Sequence, residues 1–347
     1  MHYPKLLGSR VILALGACLL ACAARAAVVH VPADQPTIQQ AIDAANSGDV
    51  ILVSPGTYYG NIDYHGKTVA LRSVAGAVQT VLDGGNAGPV VTFQTNETAR
   101  ALLSGFTIQH GNAAAGGGVL LIGASPTIAR NVFRGNVQGA GGFGAAIGGS
   151  DASPVIERNT FEGNICATSV LSGVVSFVNG SSPLIINNIF QNNPCCAINM
   201  TLPAGYSPVI ANNTIVQNGV GIRVDAAVPE ATMFCANNIL AGNSIGLLVD
   251  YLVTGCEPTW TNNLVFNNAT NYSGMADQTG VNGNMCENPQ FVSKRNFQLR
   301  PTAPGIDAGS LAVPNLPPFD FAGNPRMVDG DKNGSALPDI GALEFMP

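Results

Sequence analysis

Ser125-Pro-Thr-Ile-Ala-Arg-Asn131-Val-Phe-Arg-Gly-Asn136 is followed by Ser153-Pro-Val-Ile-Glu-Arg-Asn159-Thr-Phe-Glu-Gly-Asn164, Ser182-Pro-Leu-Ile-Ile-Asn-Asn188-Ile-Phe-Gln-Asn-Asn193 and Ser207-Pro-Val-Ile-Ala-Asn-Asn213-Thr-Ile-Val-Gln-Asn218. Two more copies, ending at Asn243 and Asn268, keep the asparagines and lose the Ser-Pro. The first asparagines, Asn131, Asn159, Asn188, Asn213, Asn238 and Asn263, recur at intervals of 28, 29, 25, 25 and 25 residues, and the second series follows five residues behind. Regularity in two registers marks stacked structural repeats.

Each copy holds a short apolar strand, an Asn-centred bend and a second apolar strand. A third strand lies between copies, as at 220–225 and 245–250. Three short strands in one such period make a coil of a parallel β-helix, an all-β solenoid. Alternation then points Ile128, Ile156, Ile185, Ile210, Cys235 and Trp260 inward as one column, and Phe133, Phe161, Phe190, Ile215, Leu240 and Val265 as another. Arg134, Glu162 and Gln191 should point out. The six asparagines are expected to serve structure: Asn tolerates the left-handed backbone of a tight bend, and stacked amides can hydrogen-bond in a ladder.

Charged residues make up only 10 % of the 347 and aromatics 6 %, a composition of turns and buried strands rather than amphipathic helices. The formal net charge of −6, with few basic clusters, argues against nucleic acid as a partner. Residues 1–26 read as a secretory leader, with His2, Lys5 and Arg10 before an apolar run too short to span a bilayer. Lipidation at Cys18 or Cys22 is the alternative. Six cysteines remain after export, and the repeat places Cys166 and Cys195 at matching positions of adjacent coils. Stacked strands bring such positions within disulfide reach, with two free thiols as the alternative.

Residues 27–48 read as an N-terminal cap, with a helix over 37–45 opened by Thr37 and Gln40 as a capping box and ended by Gly48. Residues 49–285 read as coils. Residues 286–347 lose the repeat and gain prolines, as expected of the other cap.

The stretch Val31-Pro-Ala-Asp-Gln-Pro-Thr-Ile-Gln-Gln-Ala-Ile-Asp-Ala-Ala45, then Gly48-Asp-Val-Ile-Leu-Val-Ser-Pro-Gly-Thr-Tyr-Tyr59, resembles the opening segment of secreted right-handed parallel β-helix proteins of the pectate-lyase-like superfamily. Asn296-Phe-Gln-Leu-Arg-Pro-Thr-Ala-Pro-Gly-Ile-Asp-Ala-Gly309, Asp320-Phe-Ala-Gly-Asn-Pro-Arg326 and Asp339-Ile-Gly-Ala-Leu-Glu344 resemble the end of bacterial choice-of-anchor Q proteins. The resemblance implies the right-handed coil and export. It leaves activity open, because that superfamily includes lyases, hydrolases, esterases and adhesins.

Enzymes of this superfamily carry their sites on one outer face of the coil. Polygalacturonases share Asn-Thr-Asp, an Asp-Asp pair and Gly-His-Gly, none of which occurs here. His30, His65 and His110 are scattered and support no metal cluster or triad. The candidate acid–base set is Arg223, Asp225 and Asp250, the two aspartates being 25 residues apart and in register, with ordinary solvated residues at a turn as the alternative. Pectin esterases use two Asp and an Arg. Lyases use calcium held by carboxylates beside a basic group. Arg130 and Arg158, also in register, are candidate uronate contacts, with an inter-rung salt network as the alternative. Asp329, Asp331, Asn333 and Ser335 follow a calcium-loop spacing that Gly334 allows to turn, with Asp339 one place early for the last ligand and a plain acidic turn as the alternative. Two functions follow: a non-catalytic exported or surface β-helix, acting as a monomer on glycans or the envelope, and a pectate-lyase-type enzyme acting on acidic polysaccharide.

Overall fold

A computed structural model describes residues 26–167, 172–202, 204–226, 232–252 and 258–347. The leader, with Cys18 and Cys22, lies outside the described residues, as does Cys256. Among the described residues the chain coils into three long parallel sheets of ten, nine and nine strands, with a short parallel sheet of three strands beside them at Asn112–Ala113, Val137–Gln138 and Ile165–Cys166. The first runs from Val28–Val31 to Thr259–Thr261, the second from Gly56–Tyr59 to Leu264–Phe266, and the third from Ile62–Asp63 to Thr270–Ser273.

Both apolar columns face inward. Ile128, Ile156, Ile185, Ile210, Cys235 and Trp260 pair in unbroken register, as do Phe133, Phe161, Phe190, Ile215, Leu240 and Val265, and all twelve are buried. Three phenylalanines stack with ring centroids 4.9 and 4.4 Å apart and planes within 10°. Each such ring adds about 1.5–3 kcal/mol of burial. Arg134 and Glu162 lie on the solvent side.

The ladder forms with an offset. Each ladder asparagine donates its amide to the next one's Oδ1, for example Asn131 to Asn159 at 3.2 Å and Asn213 to Asn238 at 3.0 Å. The second series does the same, from Asn136 to Asn268. The left-handed residue, however, is the one before: Arg130, Arg158, Asn187, Asn212, Asn237 and Asn262 all have φ between 48° and 58°. The ladder asparagine is wanted for its buried hydrogen bonds, not for its tolerance of positive φ. Asn284 and Asn271 end the two ladders by accepting from Asn263 and Asn268.

A helix over Ile38–Ala44 packs against the first coil by Ile38, Ala41 and Ile42. The Thr37 hydroxyl accepts the Gln40 N–H at 3.2 Å and donates to its Oε1 at 3.0 Å. Ala45 is the C-cap, so the helix ends before Gly48. Cys166 and Cys195 form a disulfide; Cys196 and Cys235 are buried thiols and Cys286 an exposed one.

Residues 286–347, expected as the other cap, run back along the flank, burying Phe297, Leu299, Ile306 and Ile340 against Val216, Ile239 and Leu264 of the second sheet. The left-handed column holds them there. Asn262 donates to Ala308 O, Asn237 to Ser310 O, Asn212 to Asp339 O, Asn187 to Phe319 O and Arg158 to Phe321 O, at 2.9–3.1 Å.

Candidate functional site

Ile222 and Val224 face the core, so alternation puts Arg223 and Asp225 on the outer face of the third sheet. The neighbouring strand, Ile245–Leu252, stays in register as far as Val249. It then carries one extra residue, so that Ala226 pairs with Leu252. Bulges of this kind re-aim side chains, and Asp250 lies in it. Arg223 Nη2 is 2.5 Å from Asp250 Oδ2 and 3.3 Å from Asp225 Oδ1. The sequence-predicted trio is thus brought together, with one guanidinium between two carboxylates. Asp225 is only 15 % exposed and Asp250 45 %. Burial pushes the Asp225 carboxyl above the ordinary range; Arg223 pulls it back and Asp250 pushes it further up.

The histidines stand apart from this trio. His30 pairs with Asp34, His65 with Asp43 and His110 with Asp83, at 2.9–3.1 Å.

Arg130 and Arg158 stack as expected but do not share one role. Arg158 Nε donates to Phe321 O of the returning segment, whereas Arg130 remains exposed. Burial and the charge of Arg130 both lower the Arg158 pKa.

In the acidic loop, Asp329 accepts the N–H groups of Asn333 and Gly334, and Asp331 accepts the N–H and amide of Asn333. Ser335 N donates to Asn333 Oδ1. Asp339 does not join them. It is buried, accepts the N–H groups of Asp307 and Phe345, and is pushed up to about 6 by burial. Asp307 takes the place expected of it: oxygens of Asp307, Asp329 and Asp331 lie within 4.8 Å of one another. Such a set of hard oxygens suits calcium.

The family model described as the right-handed beta helix region matches residues 91–291. The chain belongs to that family. Among solved structures it is similar to pectate lyase Pel9A, at 13 % identity over 92 % of this chain and 96 % of the other, with a TM-score of 0.49. It is also similar to a mannuronic acid specific polysaccharide family 6 lyase from human gut microbiota, at 13 % identity over 69 % of this chain and 53 % of that one, TM-score 0.38. An alginate lyase from Paenibacillus sp. str. FPU-7 matches at 13 % identity over 65 % of this chain and 95 % of that one, TM-score 0.29. At these values the likenesses carry no inference about substrate or activity. Curated proteins give no match. No described helix of this β-helix protein is long and apolar enough to cross a membrane.

Two groups of buried polar residues escaped the sequence reading. Asp307 lies 22 residues before Asp329, outside any loop motif. Arg326, fully buried, lies 3.2 Å from Glu344 and donates to Asn187 Oδ1 at 2.6 Å. Their signal was present in Gly-Ile-Asp307-Ala-Gly, Asn-Pro-Arg326 and Asp339-Ile-Gly-Ala-Leu-Glu344. Nothing in those motifs says that they meet.

Proposed function

We propose that this protein is an exported, monomeric β-helix that binds acidic polysaccharide or envelope glycan without cleaving it. The observation that carries the reading is the closed state of its acid–base set. Arg223 lies against both Asp225 and Asp250, so the guanidinium that would meet a uronate is neutralised from within. The leader-like residues 1–26, and the resemblance of the C-terminal motifs to choice-of-anchor Q proteins, support export.

A second reading has its own observation. A partly buried carboxyl with a raised pKa beside a more exposed carboxylate and an arginine is the division of labour that ester hydrolysis uses. One experiment separates the two. The purified protein is incubated with uronate polysaccharides, with and without calcium, while unsaturated product and released methanol are followed. Binding is measured in parallel by affinity electrophoresis. Retardation without turnover supports the first reading; turnover lost in Asp225→Ala replaces it with the second.

Calcium is proposed as a structural cation at Asp307, Asp329 and Asp331. A melting temperature raised by calcium and lowered by chelator supports it; indifference to both refutes it.

A further inference from the structure

We propose that the cleft between the second sheet and the C-terminal hairpin binds an acidic saccharide, with Lys294 and Arg300 meeting its carboxylate. The proposal rests on the glycan reading above and adds the place and the charge of the ligand. The cleft is about 590 Å³, a size suited to a small ligand. Its floor is the outward column Val216, Ala241 and Phe266 on three successive strands. Its wall is the hairpin of Phe291–Ser293 and Asn296–Leu299, where Phe291 meets Phe297 edge to face at 5.2 Å.

Three features of the lining point to one ligand chemistry. Phe266 and Phe291 are partly exposed, offering ring surface to the C–H faces of a sugar. The rim carries amides, Gln217 and Asn267 among them, which both donate and accept, as hydroxyl groups require. The charge is one-sided: Lys294 and Arg300 line the cleft and no carboxylate does, in a chain with 21 acidic and 15 basic residues. Arg300 Nη2 donates to Val292 O at 3.1 Å, which fixes the guanidinium on the hairpin and uses one of its five donors. A guanidinium held this way suits a planar carboxylate. A peptide added as a strand is disfavoured at the floor, because those strands are already paired with their neighbouring rungs.

The test is calorimetric titration of the full chain with a defined oligogalacturonate, its methyl ester and an oligoglutamate peptide. The acid sugar should bind at least tenfold tighter than its ester and weaken as salt rises. Lys294→Glu should weaken it at least tenfold with the melting temperature unchanged, and Phe266→Ala should weaken it as much in a chain that stays folded, at a lower melting temperature because Phe266 also packs against the flank. Equal binding of acid and ester, no effect of either variant, or an oligoglutamate that binds as well as the sugar would overturn the proposal. If uronate polymers retard the protein while both variants behave as wild type, the cleft alone is wrong. If no polymer or oligomer binds, the glycan reading falls with it.

Discussion

Asn159 gives both its main-chain N–H and its side-chain amide to one atom, Oδ1 of Asn188, at 2.9 and 3.1 Å. Neither residue touches water. Asn188→Ala therefore strands two buried donors on Asn159 and also removes the amide that reaches Ile156 O and Ile186 O. Its cost should be about 2–4 kcal/mol, since each buried group left unpaired costs about 1–3 kcal/mol. A urea midpoint equal to wild type would show that the ladder is dispensable.

The position before the ladder predicts the opposite sign. Arg130 is exposed and sits at φ 58°, where the later repeats place Asn. A left-handed conformation costs a side chain such as Arg about 1–2 kcal/mol and asparagine less. Arg130→Asn should stabilise the protein by about 0.5–1 kcal/mol. Denaturation that moves to lower urea would refute this account of the corner.

The pH dependence is set partly at the buried clasp of the returning segment. Burial, then the charge of Asp339, push Glu344 up to about 8 against the pull of Arg326, and burial pushes Asp339 up to about 6. Both bind their protons more tightly folded than unfolded. Their contribution is therefore full below about pH 4, the unfolded range, and is lost as pH rises through about 6 and then about 8. Asp49 has the other sign: N–H groups of Asn46 and Ala27 lower its pKa, and that contribution is lost in acid. The melting temperature should be higher at pH 5 than at pH 9. Glu344→Gln should flatten the upper part of the curve; a steep alkaline limb in that variant would place its origin elsewhere.

Reducing the disulfide should also be felt. Cys166 and Cys195 are 29 residues apart, one full coil. Opening a loop of that length gives the unfolded chain entropy corresponding to about 3.6 kcal/mol. Dithiothreitol, or Cys166→Ser with Cys195→Ser, should lower thermal stability alike. A reductant effect that persists in the double variant would point to another bridge.

The core columns were legible because their spacing is the period of the coil, and every copy repeats it. The corner was misread by one place. Asn187 and Asn188 look equivalent in isolation, yet the repeats distinguish them: the first position accepts Arg130 and Arg158, whereas the second is Asn in all six copies. A residue wanted only for its backbone can vary; one whose amide is enclosed cannot. The returning segment was not legible as a flank. It has no period, and its partners, such as Arg326 and Asn187 at 139 residues' separation, meet only once the coil has formed. The Asp225 and Asp250 pair was found from register, but the bulge between them leaves no mark in the spacing.

Solenoids ordinarily tolerate the gain or loss of whole repeats, since each unit contacts only its neighbours. Here five consecutive corners, from Arg158 to Asn262, are fastened to fixed carbonyls of the C-terminal segment, four of them along a strip over 308–321 and the middle one, Asn212, to Asp339. That strip works as a gauge. Inserting or removing one 25-residue coil between those corners would displace every fastening beyond it by a strand spacing, about 4.8 Å. The number of rungs in this stretch is held by the tail, and growth of the solenoid is free only nearer the N-terminus.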